Sequence, residues 1–185
     1  LFALLLIGTL YMFVYMPINA LYPLISMEYF AGTPMHVSIT EIAYASGMLA
    51  GGLLLGQLGS FKKRIVLITA SIFMMGASLT ISGLLPSSGF AIFVVCCAVM
   101  GLSVPFYNGV QTALFQEKIK PEYLGRVFSL TGSIMSLAMP VGLILSGIFA
   151  DRIGVNNWFL ISGILIVGIA IVCPLIPVVK SLDDK

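Results

Sequence analysis

The sequence predicts an all-α membrane protein with six transmembrane helices. The chain has 185 residues, of which 59% are hydrophobic and only 9% are charged. Soluble globular chains are about 25% charged, so this chain lacks the composition of a water-facing surface. Uncharged apolar runs fit the ~20 residues with which a helix crosses a hydrocarbon core of about 30 Å. The runs do not alternate between apolar and polar residues, as strands of a membrane barrel do.

Turn-forming and polar segments divide the chain into six predicted spans. The stretch 65–116 is uncharged and too long for one helix, and the turn-forming segment 86–89 divides it. In the first span, Pro17, Asn19 and Pro23 predict a kink or an unwound turn. The approximate spans are 1–27, 39–61, 65–85, 90–115, 127–150 and 157–179.

The cations predict the orientation in the membrane. Alternate connections and the tail, all on one side, hold eight cations, whereas the opposite side holds only Arg152. Lys and Arg favour the cytoplasmic side, so we expect both ends of a multi-pass protein in the cell membrane to be cytoplasmic. The chain begins without Met inside an apolar run, and we expect it to continue a larger protein. The eight cations are Lys62, Lys63, Arg64, Lys118, Lys120, Arg126, Lys180 and Lys185.

The residue inventory argues against several function classes. The sequence has one histidine, no metal-ligand spacing and no nucleophile–base arrangement. We therefore expect the chain to be no enzyme and to bind no cofactor. The cations sit in short caps between apolar runs, so we expect no nucleic-acid partner. The apolar composition predicts the lipid bilayer as a partner. Cys96, Cys97 and Cys173 lie in apolar runs and are expected to be packing residues.

Two glycine-bounded segments end the second and fifth spans. GLLLGQLG runs from Gly52 to Gly59, and GIFADRIG runs from Gly147 to Gly154. Because three spans separate them, the copies face opposite sides of the membrane, as in an inverted three-plus-three transporter repeat. The alternative is that any two glycine-rich helix ends look alike. The glycines from Gly47 onward also predict close approach of another helix.

The segment GIFADRIG resembles the G-x-x-x-D-R-x-G signature of the major facilitator superfamily, with Asp151 and Arg152 in the charged positions. The segment GLLLGQLGSFKKR resembles a degenerate copy followed by the basic residues 62–64. In this copy Gly56 and Gln57 replace the Asp and Arg of the signature.

The whole chain is similar to the carboxy-terminal half of macrolide-efflux proteins of Gram-positive bacteria, above all in 15–30 and 93–140. This resemblance implies half of a twelve-helix major facilitator bundle built from inverted three-helix repeats. It implies proton-driven efflux of a small-molecule macrolide, together with an amino-terminal half without which the chain is inactive. It also implies that the first, second, fourth and fifth helices line the cavity. The alternative is a non-transporting membrane module or a nonfunctional truncated product.

Polar residues of the fourth span are candidate substrate contacts. Asn108, Gln111, Thr112 and Phe115 are spaced to share a helix face, and Tyr107 lies beside them. An apolar cavity with a few hydrogen-bonding groups suits a bulky amphipathic ligand. The alternative is a polar contact that only joins helices.

The first span carries a second candidate surface. Tyr11, Tyr15, Asn19 and Tyr22 follow helical spacing and could form an aromatic cavity wall for a lipophilic cation. Packing against the fifth helix is the equally weighted alternative.

Three charged residues are candidates for coupling and gating. Glu41, one turn into the second span, could take up a proton, since an ionisable group within a span is a functional candidate. The alternatives are that Glu41 is a solvated carboxylate at the membrane rim, or an acidic residue favoured at the amino end of a helix. Lys63 and Arg126 could hold an inner gate through ion pairs. The alternative for both is a topological anchor.

Overall fold

A computed structural model describes residues 2–58 and 64–175 of the chain. Within these ranges the secondary structure is helical and contains no strand. A π-helical turn, Ile25–Tyr29, follows the first helix, and a short 3-10 turn, Cys173–Leu175, follows the last. The six α-helices are α1 (Phe2–Leu24), α2 (Pro34–Leu58), α3 (Arg64–Leu84), α4 (Phe90–Lys118), α5 (Pro121–Ile153) and α6 (Val155–Val172).

The first helix is bent. The axis of Leu6–Ile18 makes an angle of 41° with that of Leu21–Tyr29. Pro17 and Pro23 flank the bend, and each removes a backbone donor and crowds the preceding turn. The predicted kink is therefore confirmed. Helices α2 to α6 are each long and apolar enough to cross a membrane, and the bent α1 region adds a sixth span if its two arms count as one.

Two helix starts differ from the prediction. Helix α5 begins at Pro121 rather than near 127, and α2 begins at Pro34 rather than near 39. Proline is favoured at the first helical position, where its missing N–H has no intrahelical partner to lose. The polar segment 117–126 is therefore mostly helical, with only residues 119 and 120 between α4 and α5. The predicted end of the sixth span, 176–179, lies outside the described residues.

Glycines bring α2 and α4 into close contact. A Cβ atom on Gly47 would overlap the carbonyl oxygen of Ala98, and one on Gly101 would overlap that of Tyr44. Helices in lipid associate through such tight packing rather than through the hydrophobic effect. The predicted close approach is therefore present at Gly47. It is absent at Gly52, around which the described residues leave open space.

Burial differs sharply among the helices. Half of the most apolar stretch of α3 is buried within this chain, against 17% for α2 and 12% for α5. Large apolar side chains are exposed along α2 and α5, including Leu53 on α2 and Leu137 on α5. Helix α3 is therefore the most buried of the helices α2 to α6, and α2 and α5 leave the largest share of their apolar stretches uncovered.

Candidate functional site

Five tyrosines from three helices form a continuous aromatic column. The ring centroids of Tyr107 and Tyr11 lie 4.7 Å apart, and the ring of Tyr11 stacks on that of Tyr15 at 5.6 Å. The hydroxyl oxygens of Tyr15 and Tyr44 are 3.0 Å apart, and the rings of Tyr44 and Tyr22 are 6.4 Å apart. We call these five side chains the tyrosine column. It connects α4 through α1 to α2.

Most of the column is interhelical packing. Tyr11 and Tyr15 are 1% and 5% exposed. The Tyr11 hydroxyl donates a hydrogen bond to the Met75 sulfur on α3, and the Tyr22 hydroxyl donates one to the Met100 sulfur on α4. Tyr11 and Tyr15 thus join α1 to α2, α3 and α4 in this conformation rather than forming an open cavity wall. The Asn19 side chain lies outside the described part of the structure.

A cavity of about 130 Å³ opens between α1, α4 and α5. We call it the Gln111 cavity. Gln111 is 7% exposed and lines the cavity together with Tyr107, Gly8 and Thr131. A Cβ atom on Gly8 would lie 2.9 Å from the Tyr107 hydroxyl oxygen and 3.0 Å from the Gln111 side-chain nitrogen. Glycine at this position therefore leaves space in front of two polar groups.

The polar face predicted on α4 is split between two environments. Tyr107, Gln111 and Phe115 are buried, whereas Asn108 is exposed and Thr112 is half-buried. Residues four and eight positions apart form the stripe that faces the bundle, and each neighbour in sequence is rotated about 100° from it. Asn108 and Thr112 therefore lie at the outer edge of the stripe. Neither of them lines the Gln111 cavity.

A second cavity, of about 160 Å³, lies between the end of α1 and the start of α2. We call it the Glu41 cavity. It is lined by Tyr22, Pro23, Thr40, Glu41 and Tyr44. Glu41 is exposed and lies in the second turn of α2, while Thr40 is 3% exposed and bonds the backbone oxygen three residues earlier. Sequence reasoning missed Thr40 and Tyr44, although the spacing of residues 41 and 44 places them on one helix face.

One ion pair joins the start of α3 to the end of α4. The Arg64 guanidinium contacts the Glu117 carboxylate, with side chains 21% and 50% exposed. Sequence reasoning chose Lys63 and Arg126 for such contacts and missed this pair. Lys63 lies outside the described residues, and the exposed Arg126 guanidinium lies 5.9 Å from the ring centroid of Tyr123 on its own helix.

The glycines of the repeated motif have different surroundings. Gly154 precedes α6 with φ of +88°, a conformation that favours glycine, and its carbonyl accepts a hydrogen bond from the Trp158 backbone. Gly147, like Gly52, has no atom of the described residues within 4 Å of where a Cβ would lie. Arg152 is exposed. Gly59 and the Asp151 side chain lie outside the described part of the structure.

The chain is similar to known transporters along its length. Over all 185 residues it is 81% identical to Macrolide efflux protein A of Streptococcus pyogenes, and it covers 46% of that protein. Over 143 residues, 77% of the chain, it is 85% identical to Macrolide efflux protein A of Enterococcus faecalis, covering 44% of it. Over 155 residues, 78% of the chain, it is 30% identical to Multidrug efflux pump Tap of Mycolicibacterium fortuitum, covering 36% of it. The chain thus spans about half the length of the curated relatives it matches.

The family assignment rests on nearly the whole chain. Residues 4–184 match the family described as Major Facilitator Superfamily. This match agrees with the signature at 147–154 and with the apolar helices of the fold. A family of membrane transporters, and efflux proteins as relatives, point to a transporter rather than an enzyme. We conclude that the chain belongs to the Major Facilitator Superfamily.

Proposed function

We propose that this chain is the carboxy-terminal six-helix half of a twelve-helix transporter that exports macrolide antibiotics from bacterial cells by proton antiport. The observation that carries the proposal is the 81% identity to a macrolide efflux protein over the full length of this chain. The buried polar groups beside the Gln111 cavity support it, because a drug site needs an apolar space with a few fixed hydrogen-bonding groups.

The sizes of the cavities support the need for a second half. Pockets that enclose drug-sized ligands measure about 300–1,000 Å³, whereas the two cavities here measure about 130 and 160 Å³. Neither could enclose a macrolide. In our proposal an amino-terminal half packs against the uncovered apolar faces of α2 and α5 and completes the site between the halves.

Two residues would contact the ligand from this side. Tyr107 and Gln111 offer a hydroxyl and an amide to the Gln111 cavity. Asn108 and Thr112 would face the other half at the edge of the site. Tyr11 and Tyr15 would support α1 behind these groups and meet the ligand only when the helices separate. Asn19 stays a ligand contact proposed from the sequence alone.

Coupling and gating would use charged residues at the membrane boundaries. With both ends of the chain cytoplasmic, the Glu41 cavity opens near the outer face, and Glu41 would exchange the coupling proton there. Lys63 and Arg126 would hold the inner gate. Gly52, Gly59, Gly147 and Gly154, with Asp151 and Arg152, would belong to the two inverted copies of the family motif.

The test is accumulation of a labelled fourteen-membered macrolide in cells that make this chain with or without a matching amino-terminal half. Each culture is measured with and without a protonophore. We expect lower accumulation only when both halves are present, and we expect the protonophore to abolish the difference. Unchanged accumulation, with both halves detected in the membrane, would instead favour a non-transporting membrane module.

A further inference from the structure

The Glu41 cavity combines one carboxylate with two aromatic rings whose hydroxyls bond elsewhere. The Tyr22 hydroxyl donates to the Met100 sulfur at 2.7 Å, and the Tyr44 hydroxyl bonds that of Tyr15. The two ring centroids are 6.4 Å apart and the ring planes are inclined by 50°. Because both hydroxyls are engaged with the protein core, the two tyrosines offer the cavity mainly their rings.

The charge at this cavity is unbalanced. Among the residues that the structure describes, no cation pairs with Glu41. The ion pair that is present joins Arg64, at the start of α3, to Glu117, at the end of α4. Arg152, near the end of α5, is the one cation that the sequence predicts on the side where α2 begins. The exposed carboxylate of Glu28 lies on the same side and adds negative charge.

We propose that the Glu41 cavity binds a substituted ammonium group. The carboxylate would pair with the positive charge, and the rings of Tyr22 and Tyr44 would hold the N-alkyl groups through cation–π contacts. A single carboxylate does not supply the six to eight oxygen ligands that calcium requires, and an anion would be repelled. The cavity volume of about 160 Å³ fits an alkylated head group and excludes a whole macrolide.

The ammonium site is defined by the contents of one cavity within this chain, and only its link to export rests on the proposed function. If Glu41 also exchanges the coupling proton, the ammonium group and the proton compete for the same carboxylate. A ligand with an amino substituent could then place that group in the Glu41 cavity while its bulk occupies the space between the halves.

Carbodiimide labelling of carboxylates tests the proposal in membranes that contain the full transporter. Tetraethylammonium is the probe, and a neutral alcohol of similar size is its control. We expect tetraethylammonium to slow labelling of Glu41 severalfold, measured by mass spectrometry of the modified peptide. Glu28 is the internal control, because it is an exposed carboxylate outside the cavity, and its labelling should stay constant. Equal protection of both carboxylates, or protection by the alcohol, would overturn the proposal.

Two substitutions of Tyr44 distinguish the contribution of its ring to binding from that of its hydroxyl. Tyr44→Leu should reduce the apparent affinity for tetraethylammonium about two- to fivefold, the effect of one exposed cation–π contact. Tyr44→Phe should keep the affinity, because its hydroxyl points to Tyr15. Unchanged affinity in a correctly inserted Tyr44→Leu variant would show that the ring does not bind the probe. If that variant does not reach the membrane, the comparison of Glu41 with Glu28 in the unmodified protein decides the question.

Discussion

The hydroxyl oxygens of Tyr15 on α1 and Tyr44 on α2 lie 3.0 Å apart, and this hydrogen bond links the two halves of the tyrosine column. On one side of it, Tyr11 leads to Tyr107, which lines the Gln111 cavity. On the other side, Tyr44 itself lines the Glu41 cavity. The two cavities are therefore connected by direct side-chain contacts, and a movement that separates α1 from α2 at this point would break the hydrogen bond.

Removing either hydroxyl should therefore have the same modest effect. We expect Tyr15→Phe and Tyr44→Phe each to destabilise the folded transporter by about 0.5–1.5 kcal/mol, the net contribution of one hydrogen bond. The double variant should be no less stable than the less stable of the two single variants, because each substitution removes the same hydrogen bond. The measurement is the unfolding midpoint in detergent. Fully additive losses would show that the two hydroxyls act independently.

The glycine contact between α2 and α4 predicts a larger effect. We expect Gly101→Ala to destabilise the protein by about 1–3 kcal/mol, because the added methyl group meets the backbone of Tyr44 and forces the helices apart. Gly56→Ala is the matched control, since no described atom lies within 4 Å of the added Cβ. The same unfolding assay compares the two. An equal shift in both variants would contradict the packing described here.

Much of the helical organisation follows from local sequence patterns. Runs of apolar residues, the segment 86–89 and the prolines of α1 act through chain geometry, so the helices and the bend could be predicted. The start of α5 could not, because charged residues such as Glu122 and Arg126 suggested a loop, whereas Pro121 begins a helix that carries them on its exposed first turns.

The polar face of α4 gives the next prediction. If the transporter exports macrolides as proposed, Gln111→Leu should raise the macrolide concentration needed for half-maximal export about tenfold, which corresponds to about 1.4 kcal/mol. The reason is that the substitution leaves the Tyr107 hydroxyl facing an apolar side chain. Asn108→Leu makes the same chemical change at the exposed edge and should have a smaller effect. Both variants should insert normally, as judged by membrane protein levels. A stronger defect in Asn108→Leu would mean that the ligand approaches α4 from its exposed face.

The candidate site could be predicted only in part. Spacing along one helix grouped Gln111 with Asn108 and Thr112 and put Tyr107 beside them, whereas in the structure Gln111 and Tyr107 line the cavity without the other two. Spacing also could not reveal that Gly8 of α1 leaves the space in front of Gln111 and Tyr107. Contacts between distant helices, such as Tyr15 with Tyr44, depend on how the helices pack. Glu41 was selected for its charge alone, and its aromatic surroundings come from a second helix that local patterns do not position.

Exchanging the charges of Arg64 and Glu117 tests the ion pair between α3 and α4. We expect Arg64→Glu and Glu117→Arg each to destabilise the protein by up to about 1 kcal/mol, since exposed pairs contribute little. The double variant restores opposite charges and should recover most of that loss. Raising the salt concentration should reduce the difference between single and double variants, because exposed charges are screened. A double variant as unstable as the singles would show that the two side chains do not interact.

The uneven distribution of cations predicts the orientation of the connections. A cysteine at Ser88, in the exposed turn between α3 and α4, should react with a membrane-impermeant maleimide in intact cells. A cysteine at Lys120, between α4 and α5, is the matched control and should react only after the cells are permeabilised, because Lys118 and Lys120 favour the cytoplasm. The native cysteines Cys96, Cys97 and Cys173 are buried and should give little background. Labelling of the Lys120 variant alone in intact cells would reverse the topology and place the Glu41 cavity at the cytoplasmic face.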